Sequence, residues 1–328
     1  MPRDAYTQRK VRVNTMNRDK VRNGMYGLLV GDALGVPYEF THANDMPLYS
    51  EIEMTPPRYF ARSHRSAGVG SWSDDGSQAL CLLASLTENG KLDIEDFAHK
   101  MLMWYEQGYM AVDGKVFDIG IQTANALRAY KNGVPATHSG AYPSGKGNGA
   151  LMRVLPLALW HSGSDEELVE LAHRQCLPTH GAFTNQVCCA LYCVIAQKLL
   201  SGQMNFKSVL EQSMSDLRKI YKDKAGKANA NQEHEYLQEL EDIAGGEWIG
   251  FGSGYVVDTL KSAFMVLLGA HSYEEAVRKA ILLGDDTDTT ACVTGGLAGI
   301  MFGDIPKRWL DTLREKETVE KLLSLINY

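Results

Sequence analysis

Apolar residues first take up a helical rhythm at Val21, Met25, Leu28 and Leu29, a stripe that runs into the Gly31-Asp32 pair. From about Val36 to Ser71 no period persists, and Pro37, Pro47, Pro56 and Pro57 interrupt the chain. A loop of that length inside a compact domain usually carries function. At Asp75 the pattern turns helical, with Ala79, Leu80, Leu82, Leu83 and Leu86 on one stripe. Further helical windows cover 94–105, 120–130, 166–175, 181–200, 233–243, 256–268 and 273–283. A glycine-rich loop over Pro143 to Val154 precedes a short helical pattern over 150–159. The last well-marked helix opens at Asp288 and carries Thr294, Gly295, Gly296 and Gly299. Side chains that small let two helix backbones approach closely, which predicts a central, buried helix.

The Asn-Gly pairs at 23–24, 89–90, 132–133 and 148–149 lack the alternating flanks of a β-hairpin. The expected fold class is therefore all-α, about a dozen helices around one core in a single compact domain over 20–328. Residues 1–19 are polar and basic and read as an N-terminal arm, either a disordered end or a partner-binding segment. Residues 223–247 are charged and read as a solvated insertion.

Composition narrows the function. The 328 residues carry a net charge of -7, with 45% hydrophobic and 22% charged residues. That balance is ordinary for a globular protein and disfavours a nucleic-acid binder. No apolar leader and no apolar run of membrane-spanning length is read, so a cytoplasmic protein with no membrane partner is expected. Cys81, Cys176, Cys188, Cys189, Cys193 and Cys292 form no CxxC pair and read as reduced core thiols.

Two acidic clusters stand out, each at a loop-to-helix junction: Ser73-Asp74-Asp75 and Asp285-Asp286-Thr287-Asp288-Thr289. One Asp at a helix start needs no more explanation than capping. Adjacent carboxylates repel one another, and either a bound cation or protonation would neutralise them. Carboxylates with hydroxyls suit hard divalent ions, and two such elements together would suit a pair of ions about 3.5–4 Å apart. Spacing alone does not bring the clusters together. Gly145, Gly147 and Gly149, alternating with Lys146 and Asn148, match neither a P-loop nor a dinucleotide fingerprint, yet could present amides to an anion or form a plain turn.

Taken in order, GLLVGDALGVPYEF, WSDDGSQALCLLASL, GKGNGALMRVLPLAL, TH, GSGYVVDTL and LLGDDTDTTACVTGGLAG resemble the ADP-ribosylglycohydrolases over about residues 21 to 303. The resemblance implies an all-α fold with two Mg²⁺ ions, Mn²⁺ being the alternative. It implies ligands Ser73, Asp74, Asp75, Asp286, Asp288 and Thr289. It places the diphosphate of ADP-ribose on Gly145, Gly147, Asn148 and Gly149. Asp118, Gly120 and His180 fall around ribose and phosphate, and Tyr255 under the adenine. Glu39 matches a glutamate implicated in catalysis, and the base could be Asp74, Asp75, Asp286 or Glu39.

Four departures accompany the match. Ser73 replaces a frequent Thr, Gly76 another Thr, and Asp285 a Gly or Asn; Ile121 stands where some arginine-specific relatives have a polar residue. The expected activity is hydrolysis of ADP-ribose from a modified protein, arginine first. The rival expectation is an immunity protein against an ADP-ribosylating toxin, acting by hydrolysis, by occlusion or by both.

Overall fold

The computed structural model describes residues 3–141, 144–225 and 230–326. Fifteen α-helices occur among the described residues, with no strand beyond two isolated bridges. In chain order they are α1 Arg3–Gly35, α2 Asp74–Asn89, α3 Ile94–Gln107, α4 Ile121–Lys131 and α5 Ala136–Ser139. There follow α6 Leu155–Trp160, α7 Asp165–Cys176, α8 Phe183–Leu200, α9 Phe206–Ala225 and α10 Ala230–Ala244. The last five are α11 Val256–Leu268, α12 Tyr273–Ile281, α13 Thr287–Phe302, α14 Lys307–Thr312 and α15 Lys316–Leu323.

The pairing of α1 with α13 organises the site. A Cβ added to Gly31 would lie 2.2 Å from the Ala291 carbonyl oxygen, and one on Gly35 would lie 2.4 Å from Asp288 Cα. Only hydrogen fits at these contacts, so the two backbones touch. The end of α1, with Asp32, is thereby pressed against the first turn of α13, which holds the second acidic cluster. Thr287 to Ile300 are all buried, as expected of a central helix. Around this pair α2, α8, α11 and α12 close one continuous core from Val21 to Ile326.

Capping explains the helix that carries the first cluster. Ser73 is the N-cap of α2, and its Oγ accepts from the Asp75 amide. Gly90 ends the helix in the left-handed conformation.

Residues 3–19 form the first turns of α1; the side chains of residues 1–17 lie outside the described residues. The structure departs from the sequence reading in three respects. The segment after the glycine loop is a series of turns, and the helix begins only at Leu155. Pro156, without an amide hydrogen, belongs in a first helical turn. α9, α14 and α15 were not read, since their apolar residues are sparse among charges. α8 is long and apolar enough by length and composition to cross a membrane, contrary to the expectation of no such run; 78% of it is buried in the fold. All six cysteines are free and buried, as expected.

Candidate metal centre and ligand cleft

Asp32 builds the site from below. Its buried carboxylate accepts the Ser73 amide at 2.9 Å and the Gly76 amide at 2.8 Å. It thus caps α2 from outside and fixes the backbone of Ser-Asp-Asp. Burial pushes its pKa up to about 7, against the pull of those amides. Sequence reading took the Gly31-Asp32 pair only as the end of a helical stripe and left Asp32 out of the site. A carboxylate ending an apolar helix stripe was the available clue.

The two acidic clusters meet. Thr289 Oγ1 donates to Asp75 Oδ1 at 3.3 Å across 214 residues of sequence. Asp75 Oδ2 is buried without a hydrogen-bond partner. Burial first, then mutual repulsion, pushes Asp74, Asp75 and Asp288 well above the usual carboxylate range. Carboxylate oxygens of Glu39, Asp286 and Asp288 lie within 4.8 Å of one another. An orphaned carboxylate oxygen among acids and hydroxyls fits a hard divalent cation.

Nearby chains of hydrogen bonds hold these groups still. Gln78 Nε2 donates to Asp74 Oδ2 at 3.3 Å, and Gln78 Oε1 accepts from Arg153 Nη1 at 2.9 Å. Arg153 is fully buried and also donates to Gln175 at its side chain and carbonyl. Glu39 is placed by a short zipper. Phe40 donates its amide to the Asp285 carbonyl at 2.7 Å, and the Asp285 amide returns to the Thr41 carbonyl at 2.8 Å.

Two departures noted in the sequence acquire different meanings. Asp285 sits at φ 54, the left-handed region that Gly, Asn and Asp tolerate best. Its side chain is half-exposed and pairs with His42 Nδ1 at 3.1 Å, so its charge is turned outward rather than added to the cluster. Gly76 stands in a tight place at the start of α2. A Cβ there would lie 2.8 Å from both Leu29 Cδ2 and Trp72 Cβ, so the position is closely packed.

Above the acids opens a cleft of about 480 Å³. Glu39, Asp74, Asp75, Asp286 and Thr289 line its acidic end, and Asp118, Gly120, Gly147, Asn148, Gly149 and His180 line its length. Asn148 Nδ2 reaches Asp286 Oδ2 at 2.8 Å. Asn185 Nδ2 donates to the Gly147 carbonyl at 2.6 Å, and Gln122 Nε2 to the Gly145 carbonyl at 3.1 Å. The glycine loop is therefore tied down by three side-chain contacts and by the start of α11, where the Val256 amide donates to the Lys146 carbonyl at 3.0 Å. His180 is buried and held neutral, its pKa lowered to about 3 by burial and then by Arg153.

Ser73 and Asp288 lie buried behind the cleft surface, and Gly145 lies under Gln122. Tyr255 is 45% exposed beside the cleft, bridged to Gly147 through the backbone. Ile121, 82% exposed, sits at the cleft mouth. Sequence reading missed His64, Gln78, Gln122 and Arg153, which carry no motif of their own. A larger open cavity of about 780 Å³, between α1 and α14–α15, contains none of the candidate residues.

The chain belongs to the ADP-ribosylglycohydrolase family, whose sequence profile matches residues 14–327. The ADP-ribosylarginine hydrolase Tri1 of Serratia proteamaculans (strain 568) is 31% identical over 317 residues, 94% of this chain and 79% of that protein. The ADP-ribosyl-[dinitrogen reductase] glycohydrolase of Rhodospirillum rubrum is 25% identical, covering 91% of each. A solved structure described as an ADP-ribosylglycohydrolase-related protein complex superimposes with a TM-score of 0.71 at 30% identity, covering 95% of this chain and 98% of the other.

Proposed function

We propose that this protein hydrolyses the N-glycosidic bond between ADP-ribose and an arginine side chain of a modified protein, with divalent cations, Mg²⁺ or Mn²⁺, as cofactor. The observation that carries the reading is the cleft itself: an acidic, cation-fitting end runs into a glycine loop and a neutral His180. Its volume lies within the range of small-molecule sites.

Ser73, Asp74, Asp75, Asp286, Asp288 and Thr289 would hold the ions. Such ions, when bound, polarise sugar oxygens and lower the pKa of a coordinated water. The amides of Gly147 and Gly149, with Asn148, hold the diphosphate at the wall of the cleft. Asp118 and His180 border the ribose, and Tyr255 covers the adenine from the open side. Glu39 lines the cleft, and burial raises its pKa, so it is suited to accept a proton from attacking water. Charge building on the ribose ring as the bond breaks is oxocarbenium-like, and the surrounding carboxylates favour it.

Similarity to Tri1 supports arginine over other linkages. The test is a side-by-side digestion of arginine-linked and serine-linked ADP-ribosyl substrates with Mg²⁺, scored by free ADP-ribose. Preference for the arginine linkage is expected; equal or reversed rates reject the arginine assignment.

A further inference from the structure

Resting on the reading of Glu39 as proton acceptor, we propose that His64 is a positioning residue. Together with Ser63 it forms a clasp that fixes the Glu39 carboxylate over the acidic cluster. The segment that supplies it belongs to the long aperiodic loop, which no motif marks.

The clasp grips Glu39 at both ends. Ser63 Oγ donates to the Glu39 carbonyl, and His64 Nε2 contacts Glu39 Oε2. The Ser63 amide also donates to the Pro37 carbonyl at 3.0 Å. Arg62 gathers the loop from behind, donating to the carbonyls of Ser63, His64 and Ala67.

The imidazole has little freedom. It stands between the rings of Phe40 and Phe117, with centroids 5.7 and 5.2 Å away, and its side chain is 11% exposed. Its backbone sits at φ 44, a region that non-glycine residues rarely occupy. Strain of this kind persists only where surrounding contacts enforce it, and it clusters at functional sites. Here the contact it secures is the one to Glu39.

The chemical consequence follows from which oxygen is taken. With Oε2 engaged by His64, proton acceptance falls to Oε1. Asp118 and Asp286 both repel the Glu39 carboxylate. Without the imidazole, that repulsion is free to turn it away from the cleft. Glu39, His64 and Asp118 also offer donor atoms within 4.8 Å of one another, so a metal-ligand role for His64 is an outcome the test must separate.

The experiment uses the full chain with Mg²⁺ and ADP-ribosylated arginine. It compares wild type, His64→Ala, His64→Gln and Ser63→Ala for kcat, KM, Mg²⁺ affinity and hydrogen exchange at the Phe40 amide. His64→Ala is expected to lower kcat about tenfold or more with KM changed less than about twofold. Its Phe40 amide, released from the Asp285 carbonyl, should exchange about tenfold faster. His64→Gln, whose side-chain amide can replace the donor, should return both quantities to within about threefold of wild type. Ser63→Ala should show an intermediate rise in exchange, and it decides the matter if His64→Ala does not fold.

Unchanged Phe40 exchange in His64→Ala and Ser63→Ala would overturn the clasp. So would losses that glutamine does not rescue, or a fall in Mg²⁺ affinity in both His64 variants. A wild type without turnover would instead reject the proposed function, and the exchange comparison would still judge the clasp.

Discussion

Asn148 Nδ2 donates to Asp286 Oδ2 at 2.8 Å and to Thr259 Oγ1 at 2.9 Å. One buried amide thus locks the glycine loop to an acidic residue 138 positions away and to α11. The part of the cleft suited to phosphate and the part suited to a cation are held in fixed relation by this side chain. Asn148→Ala is expected to weaken ADP-ribose binding about tenfold, the scale of one or two lost hydrogen bonds. Titration calorimetry with Mg²⁺ present checks this; unchanged affinity would mean that the loop keeps its place unaided.

Removing charge from the acidic cluster should separate stability from cation binding. Asp75→Asn relieves repulsion among buried carboxylates, so the metal-free variant should melt at or above the wild-type temperature. Millimolar Mg²⁺ should raise the wild-type Tm by about 5 °C or more and the variant's by far less. Equal shifts in both proteins would place the cation elsewhere. By the same ligand argument, Asp74→Ala and Asp288→Ala should remain soluble and lose turnover.

Much of this site could be read before any coordinates, and the reason is local. Ser73-Asp74-Asp75 and Asp286-Thr287-Asp288-Thr289 are each contiguous and sit at helix starts, where capping chemistry is visible in sequence. The 214-residue closure between Asp75 and Thr289 was not legible from spacing, because it depends on α1 and α13 touching through Gly31 and Gly35. Asp32 and Arg153 escaped for a related reason. Each acts through a partner distant in sequence, Ser73 in one case and Gln78 in the other. Sparse apolar periodicity hid α14 and α15, although Trp309 and Leu322 anchor them in the core.

His180 makes a pH prediction with a definite sign. Burial lowers its pKa from 6.5 to about 3, so the unfolded chain takes up a proton that the native side chain refuses. Stability from this group is fully present above pH 6.5 and is lost as pH falls from there toward 3. His180→Gln has no such proton, so its stability should decline less between pH 7 and pH 5 than that of wild type. Urea unfolding at the two pH values checks the difference; parallel losses would show that His180 titrates normally.

The N-terminal residues should be separable from chemistry. The family match begins at residue 14, and the described core begins at Val21. Deleting residues 1–17 is expected to leave ADP-ribose release within about twofold of the full chain. Should the segment dock an acidic partner such as an ADP-ribosyltransferase, the deletion would weaken that complex most at low salt, because exposed charges are screened within about 8 Å at physiological ionic strength. Loss of hydrolysis in the truncated protein would extend the catalytic domain to the N-terminus.

The central claim is that the joined acidic clusters hold the cations needed to release ADP-ribose from arginine. Its most direct test is to incubate the purified protein with an arginine-ADP-ribosylated protein in Mg²⁺ or in excess EDTA, and to quantify free ADP-ribose by chromatography. The account predicts release in Mg²⁺ and none in EDTA, with recovery when Mg²⁺ is restored. Equal release in EDTA would contradict it.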